Sequence, residues 1–204
     1  MRLKIKISIA VFFIGIFAAG SAFAATYKVD PDHTTVSFKI RHLFSNVQGT
    51  FNKFEGTIDY EPGKPDGWKT GGTIDVASIN TNVEQRDKHL RSADFFDAAK
   101  YPAITFKSGA VKEATAASLP AGQAGAKIEG VLTMHGVEKP VVLDVTIHGV
   151  GKDPWGNVRA GFTAVTKINR KEFGLNWNET LETGQLLVGE EVMITIEAEG
   201  ILQP

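Results

Sequence analysis

From Tyr27 to the C-terminus, apolar and polar residues take turns, and no long stretch shows the spacing of an amphipathic helix. In TTVSFKIRH, Val36, Phe38 and Ile40 alternate with Ser37, Lys39 and Arg41, as in a strand with one face buried. The same period runs through TIDVASI, PAITFKSGAV, AKIEGVLTMH, KPVVLDVTIHGV, VRAGFTAVTKIN and EEVMITIEAEGIL. In VQGTFNKFEGTIDY the phase changes, because Phe51 and Phe54 are an odd number of residues apart; a bulge at Asn52-Lys53 would bring both to the inside. Roughly eight such strands without helices between them imply an all-β, antiparallel domain with hairpin connections. Eight strands can close into a barrel or pack as two sheets, and periodicity does not choose between these.

The first 24 residues differ from the rest. Arg2, Lys4 and Lys6 precede an apolar run from Ile9 to Ala19, and Ala22-Phe23-Ala24 supplies the small-x-small pattern of a signal-peptidase site. The run is short for a bilayer span, which needs about 20 apolar residues, so it reads as a cleaved signal peptide rather than a retained anchor. Residues 25–204 then form one domain, with the periplasm as its expected location. Losing three basic residues takes the formal net charge from −1 to −4. This mild acidity, with no basic stripe, argues against nucleic acid as a partner. The chain has no cysteine, so it carries no disulfide and no lipid attachment through a thiol, and stability rests on the core and strand pairing.

One segment interrupts the strand pattern. Residues 78–108, SINTNVEQRDKHLRSADFFDAAKYPAITFKS, contain a charged stretch of good helix formers ending in Phe95-Phe96. Thr81-Asn82-Val83-Glu84 matches a capping box, Ser92 can cap a second turn, and Pro102 ends it. A short helical insert over about residues 82–99 is therefore expected across one barrel opening, as a plug or as a lid. The turn at Asp153-Pro154-Trp155-Gly156-Asn157 is expected to lay Trp155 over a barrel end, and AGQAGA before Lys127 reads as a hairpin tip.

Chemistry-bearing motifs are few. His33, His42, His89, His135 and His148 form no metal-ligand spacing, no nucleophile elbow or phosphate loop occurs, and no catalytic residue is assigned. His33, His42 and His135 are the acid–base candidates if the protein is an enzyme. The strongest signal is the inward face: Val36, Phe38, Ile40, Phe54, Ile58, Ile74, Val76, Ile104, Phe106, Ile128, Leu132, Met134, Leu143, Val145, Ile147, Phe162, Ile194 and Ile196. A filled barrel makes these an ordinary core, and a hollow one makes them a lining for an apolar guest. A filled core would suit an envelope stress or interaction module.

Four blocks resemble the YceI-like family. They are Asp32-His33 with VSFKIRH, VQGTF and FEGTI; TNVEQRDKHLRSADFFDAAKYPAITFKS; GVLTMHGVEKPV; and INRKEFGLNWN. The resemblance implies a lipocalin-like, eight-stranded barrel with an internal tunnel, exported and binding a polyisoprenoid or related long-chain amphiphile, quinone-like or fatty, without a cofactor or catalysis. On that basis the inward residues above, with Phe95 and Phe96, would line the tunnel. Arg86, His89 and Arg91, with Lys88 beside them, would meet the polar head group, and Arg170 with Lys171 is a second candidate cluster; the alternative for this pair is a salt bridge to Asp87 or Asp94. Carriage of lipid implies transient membrane contact, and an exposed edge or flat face would admit a homodimer.

Overall fold

Each alternating segment pairs antiparallel with the next, and the last returns to the first. In the computed structural model, which describes residues 24–115, 124–182 and 184–204, the strands are β1 (Ala25–Val29), β2 (Thr35–His42), β3 (Ser45–Phe51), β4 (Phe54–Tyr60), β5 (Lys69–Asp75), β6 (Ile79–Asn80), β7 (Ala103–Thr115), β8 (Ala124–Met134), β9 (Val137–Lys152), β10 (Val158–Asn169) and β11 (Val188–Leu202), with one helix, α1 (Glu84–Arg91). The expected signal peptide, apart from Ala24, and Ala121 to Gln123 of the expected AGQAGA tip lie outside the described residues.

Three pairs of strands are single runs interrupted once: β1 with β2, β3 with β4, and β5 with β6. β1 and β2 both pair with β11, through Tyr27↔Leu202 and Val36↔Ile196. The second run follows the first through Lys28↔Thr57 and Val36↔Phe51, and the third follows the second through Phe54↔Ile74 and Phe51↔Ile79. Counted this way, eight antiparallel runs close a barrel, which resolves the choice between barrel and sandwich.

The interruptions have local causes. Pro31 cannot donate to a ladder, and Asp30 accepts a hydrogen bond from the Asp32 N–H (3.1 Å), turning the chain for three residues. Asp75 does the same for Ala77 (2.9 Å) over Val76–Ser78. Asn52-Lys53 is a strand break rather than the expected bulge. Its backbone bonds to the neighbouring break, with Asn52 N–H to Ser78 O at 3.2 Å and Asp75 N–H to Lys53 O at 2.9 Å. Phe51 and Phe54 nevertheless both face inward, because the break resets the phase.

Strand direction sorts the connections between two ends. The upper end carries the turns at 43–44 and 135–136, the insert between β6 and β7, and the segment between β10 and β11. The lower end carries the 61–68 and 153–157 turns and the start of β1. The β8–β9 hairpin turns through His135 (φ 53°) and Gly136 (φ 75°), both left-handed, as a two-residue hairpin matched to strand twist requires. Trp155 does not cover the lower end. It is 80% exposed, because Asp153 holds the turn outward with its side chain accepting from the N–H groups of Trp155 and Asn157.

Buried residues gather at both ends. Tyr27, Tyr60, Trp68, Ile147, Ala160 and Phe162 pack at the lower end. Val36, Phe51, Val76, Ile79, Phe173 and Leu175 pack beneath the insert and the 170–175 segment.

An apolar cavity with two unlike ends

Between these clusters the barrel is hollow. A cavity of about 710 Å³ runs along its inside. On β10 the lining is read off every second residue: Phe162, Ala164, Thr166, Ile168 and, just past the strand, Arg170. Around the wall, β2 contributes Val36, Phe38 and Ile40; β4 and β5 contribute Phe54, Ile58 and Ile74; β7 contributes Ile104 and Phe106. Ile128, Leu132 and Met134 of β8, Leu143, Val145 and Ile147 of β9, and Ile194 and Ile196 of β11 complete it, with Phe95 and Phe96 from the insert.

Val76 does not reach the cavity. The alternation that points Ile74 inward ends at Asp75, and Val76 sits in the following turn, 1% exposed, within the upper core.

A lining with this many large side chains would ordinarily fill a barrel of eight strands. Two glycines help to keep it open. Gly49 lies directly opposite Phe38, and a β-carbon there would fall 2.4 Å from the ring. At Gly130 it would fall 2.3 Å from the Phe106 ring. The tip of each ring therefore occupies the space over its neighbouring strand that a side chain there would take. These glycines were not singled out in the sequence, where a glycine in a strand signals only some close approach.

The lower end is closed by rings. Tyr60 packs on Trp68 at 4.9 Å between centroids and edge-on to Phe162 at 5.3 Å. The Trp68 indole N–H donates to the Glu61 carbonyl at 2.7 Å.

The upper end is polar and is built by the insert. The expected capping box does not form: Val83 occupies the cap position and offers no side-chain bond. Asp87, 5% exposed, reaches back instead and accepts from the Thr81 N–H (2.9 Å) and hydroxyl (2.5 Å). Asn82 takes a left-handed φ of 62° between them. Arg86 closes the loop, its Nε donating to the Thr81 hydroxyl oxygen (2.7 Å) and its Nη2 to the Thr81 carbonyl (2.8 Å). Ser92 does cap the second turn, accepting from the Asp94 N–H at 3.3 Å.

The four basic head-group candidates separate. Arg86 and His89 line the cavity. His89 meets Asp94 at 3.0 Å and stands edge-on to both Phe95 and Trp177, at 5.0 and 4.9 Å. Arg91 points away from the cavity, towards the Ile79 carbonyl (3.4 Å), with its Nε buried and without a partner. Arg170 lines the cavity but is a clamp. It is 3% exposed, and its Nε and Nη1 donate to the carbonyls of Gly189 (2.8 Å), Leu175 (2.5 Å) and Trp177 (2.8 Å). The salt bridges to Asp87 or Asp94 considered for Arg170 and Lys171 do not form. Lys171 pairs with Glu190 at 2.6 Å, and burial lowers the Arg170 pKa, with Glu190 opposing that shift.

The histidines considered for acid–base work are dispersed. His33 pairs with Asp30 (2.8 Å). His135 contacts the Phe173 carbonyl at 3.1 Å and the Tyr101 ring at 4.6 Å. His42 lines the cavity at its upper end. No cluster of three or more metal-ligating side chains occurs among the described residues.

This architecture has known counterparts. The family model for the YceI-like domain matches residues 27–200, and protein YceI of Escherichia coli is 42% identical over 191 residues, covering 92% of this chain and 93% of that protein. The chain belongs to the YceI-like family. Among solved YceI-like barrels and their neighbours, BcnA of Burkholderia cenocepacia superposes with a TM-score of 0.67 at 27% identity, covering 84% of this chain and 98% of that one. A polyisoprenoid-binding domain from Saccharophagus degradans, implicated in plant cell wall breakdown, shares the fold with a TM-score of 0.65 at 16% identity, covering 88% and 99%. The resemblance carried by the four sequence blocks and the YceI-like barrel thus agree.

Two wall residues went unremarked in the sequence although a signal for them existed. Extending the phase of Phe162 along β10 finds Ala164 and Thr166. Trp177, by contrast, follows an irregular stretch in which no period applies.

Proposed function

We propose that this protein is a non-catalytic carrier or store for a polyisoprenoid or a similar long-chain amphiphile, quinone-like and fatty chains included. The tail lies in the cavity, and the head sits at the upper end beside Arg86 and His89. The observation that carries the reading is the long, predominantly apolar lumen, with Arg86, His89 and Arg170 on its lining at the upper end. At about 30 Å³ for each carbon-sized group, a cavity of this size accommodates a chain of roughly two dozen carbons. Each buried CH₂ contributes about 0.8 kcal/mol relative to water, so such a chain would not leave for water unaided. A bilayer, however, is as apolar as the lumen. Exchange with a membrane is therefore close to balanced, and the tail can be taken up and released there during transient contact without chemistry. The signal-like sequence of residues 1–24 supports export and a periplasmic site of action.

The head-group assignment favours Arg86 over the other cations. Arg91 faces elsewhere, and Arg170, although its Nη2 is buried without a partner, is held by three backbone carbonyls and is only 3% exposed. Arg86 keeps Nη1 for a ligand oxygen, which a guanidinium holds strongly when the acceptor is anionic.

The test is native mass spectrometry of protein purified from its producing cell without detergent, followed by organic extraction. The expected result is a defined excess mass that releases a long-chain lipid. A bare protein mass that persists after incubation with polyprenols, quinones and fatty amides would overturn the reading.

A further inference from the structure

The lower end of the cavity is a fixed wall. Tyr60, Trp68 and Phe162 all line the cavity and are each no more than 7% exposed, so the rings pack across its lower end, with Asp59 and Lys69 on the lining beside them. Tyr60 sits between the other two and touches both, and the indole bond to the Glu61 carbonyl fixes the Trp68 ring plane. Next to Phe162 two small residues leave space beside the ring: Ala164 is the next lining residue on β10, and Ala198 of β11 lies opposite Phe162. Room for a chain therefore extends down to the rings and stops there.

We infer that the Tyr60–Trp68–Phe162 cluster is a stop that sets the longest tail the protein accepts. The inference rests on the lipid-binding reading above. A head group held at Arg86 and His89 and a wall at Phe162 define a span; from Phe162 to Arg170 the strand path is about 26 Å at about 3.3 Å per residue. A tail longer than the span must displace packed rings. A shorter tail leaves a void, whose lining loses contacts. Both departures weaken binding, so the site measures length, which an open groove would not do.

The position of the stop is adjustable from one strand. Residues 162 and 164 face the same way and are separated by about 6–7 Å, a little more than the roughly 5 Å that an extended isoprene unit spans over four carbon–carbon bonds. Phe162→Ala lowers the wall by about one unit, and Ala164→Phe raises it by about one unit.

The experiment presents the full-length mature protein with an equimolar ladder of all-trans polyprenols and reads the bound lengths by native mass spectrometry. The wild type shows a cut-off; F162A moves it one isoprene unit longer, and A164F moves it one unit shorter. W155F, an exposed change at the same end of the barrel, leaves it in place. If A164F does not fold, F162A alone decides. A cut-off that stays put in folded F162A overturns the stop while leaving lipid binding intact. A wild type that binds no polyprenol of any length overturns both readings together.

Discussion

The two ends of the cavity are closed by different forces. At the lower end, rings pack on rings with a single indole bond to the backbone, and burial raises the pKa of Tyr60 and Tyr27. Apolar packing of this kind is non-directional and excludes water. At the upper end, charged groups do the closing: Asp87 and Arg86 on Thr81, and Arg170 on three carbonyls. Such bonds fix atoms in place and leave donors beside the lumen. The wall between is mainly apolar, with Thr166 among its few polar side chains, so a bound amphiphile is oriented chiefly by its ends. Polarity of the barrel as a whole is therefore a property of two closures and not of the sheet.

The comparison breaks most severely at Arg170. Replacing it by Met leaves the Leu175, Trp177 and Gly189 carbonyls without their donor, and the 170–188 segment loses its hold on the cavity's upper rim. We expect a loss of about 3 kcal/mol in unfolding free energy by urea titration, within the range for a buried, charged hydrogen-bonding group left unmade. Arg170→Lys should recover little, since one ammonium cannot reproduce the planar fork that reaches three acceptors. A variant of wild-type stability would remove the clamp from the account of the upper end.

That clamp also shows where the sequence stops being legible. The walls follow from period two: Phe38, Ile104, Leu132 and Ile194 point inward because their strands alternate without interruption. The same rule fails at Val76, where a turn capped by Asp75 ends the alternation, and at Thr81, where a capping pattern is present but Asp87 makes the bond. The first fails to a local cap that ends the strand, and the second to a carboxylate six residues on that takes the place of the expected partner. Hollow against filled was legible through the resemblance to the YceI-like family and not through strand period, because it depends on where two rings lie, and those rings answer to glycines on neighbouring strands. The clamp made by Arg170 was not legible, because charge is visible in a sequence and burial among carbonyls is not.

The glycines provide the second test, aimed at the wall between the ends. In Gly130→Ala the new methyl group would meet the Phe106 ring at 2.3–2.5 Å and the Lys107 carbonyl at 2.7 Å. The ring must swing into the lumen, and the backbone contact allows no easy relief. Overpacking of this sort costs about 1–3 kcal/mol. We expect a smaller loss of stability than for Arg170→Met, together with reduced retention of long chains in the mass-spectrometric assay. Unchanged retention in a folded variant would mean that the lumen is not kept open by the glycine.

The smallest effect expected concerns ion pairs on the outside, where the two ends again differ. Near the lower end, Arg159 joins Asp30 (2.6 Å), Asp153 (2.9 Å) and Glu199 (3.1 Å). Its guanidinium holds the Asp153 carboxyl well below the usual range, with Asn157 assisting, and lowers that of Asp30. Near the upper end, Lys171 lowers Glu190, with Asn169 assisting. Because these carboxylates have lower pKa values folded than unfolded, their contribution is complete above the unfolded value. It is lost as pH falls from about 4 through the folded values. Urea midpoints should therefore decline progressively below pH 4. Arg159→Gln should be less stable than wild type at pH 7 and show a shallower acid decline, since the group that separates folded from unfolded pKa is gone. Lys171→Gln should flatten the decline less, because it relieves a single pair with both partners substantially exposed. Equal slopes for Arg159→Gln and wild type would place the acid sensitivity elsewhere than in the Arg159 cluster.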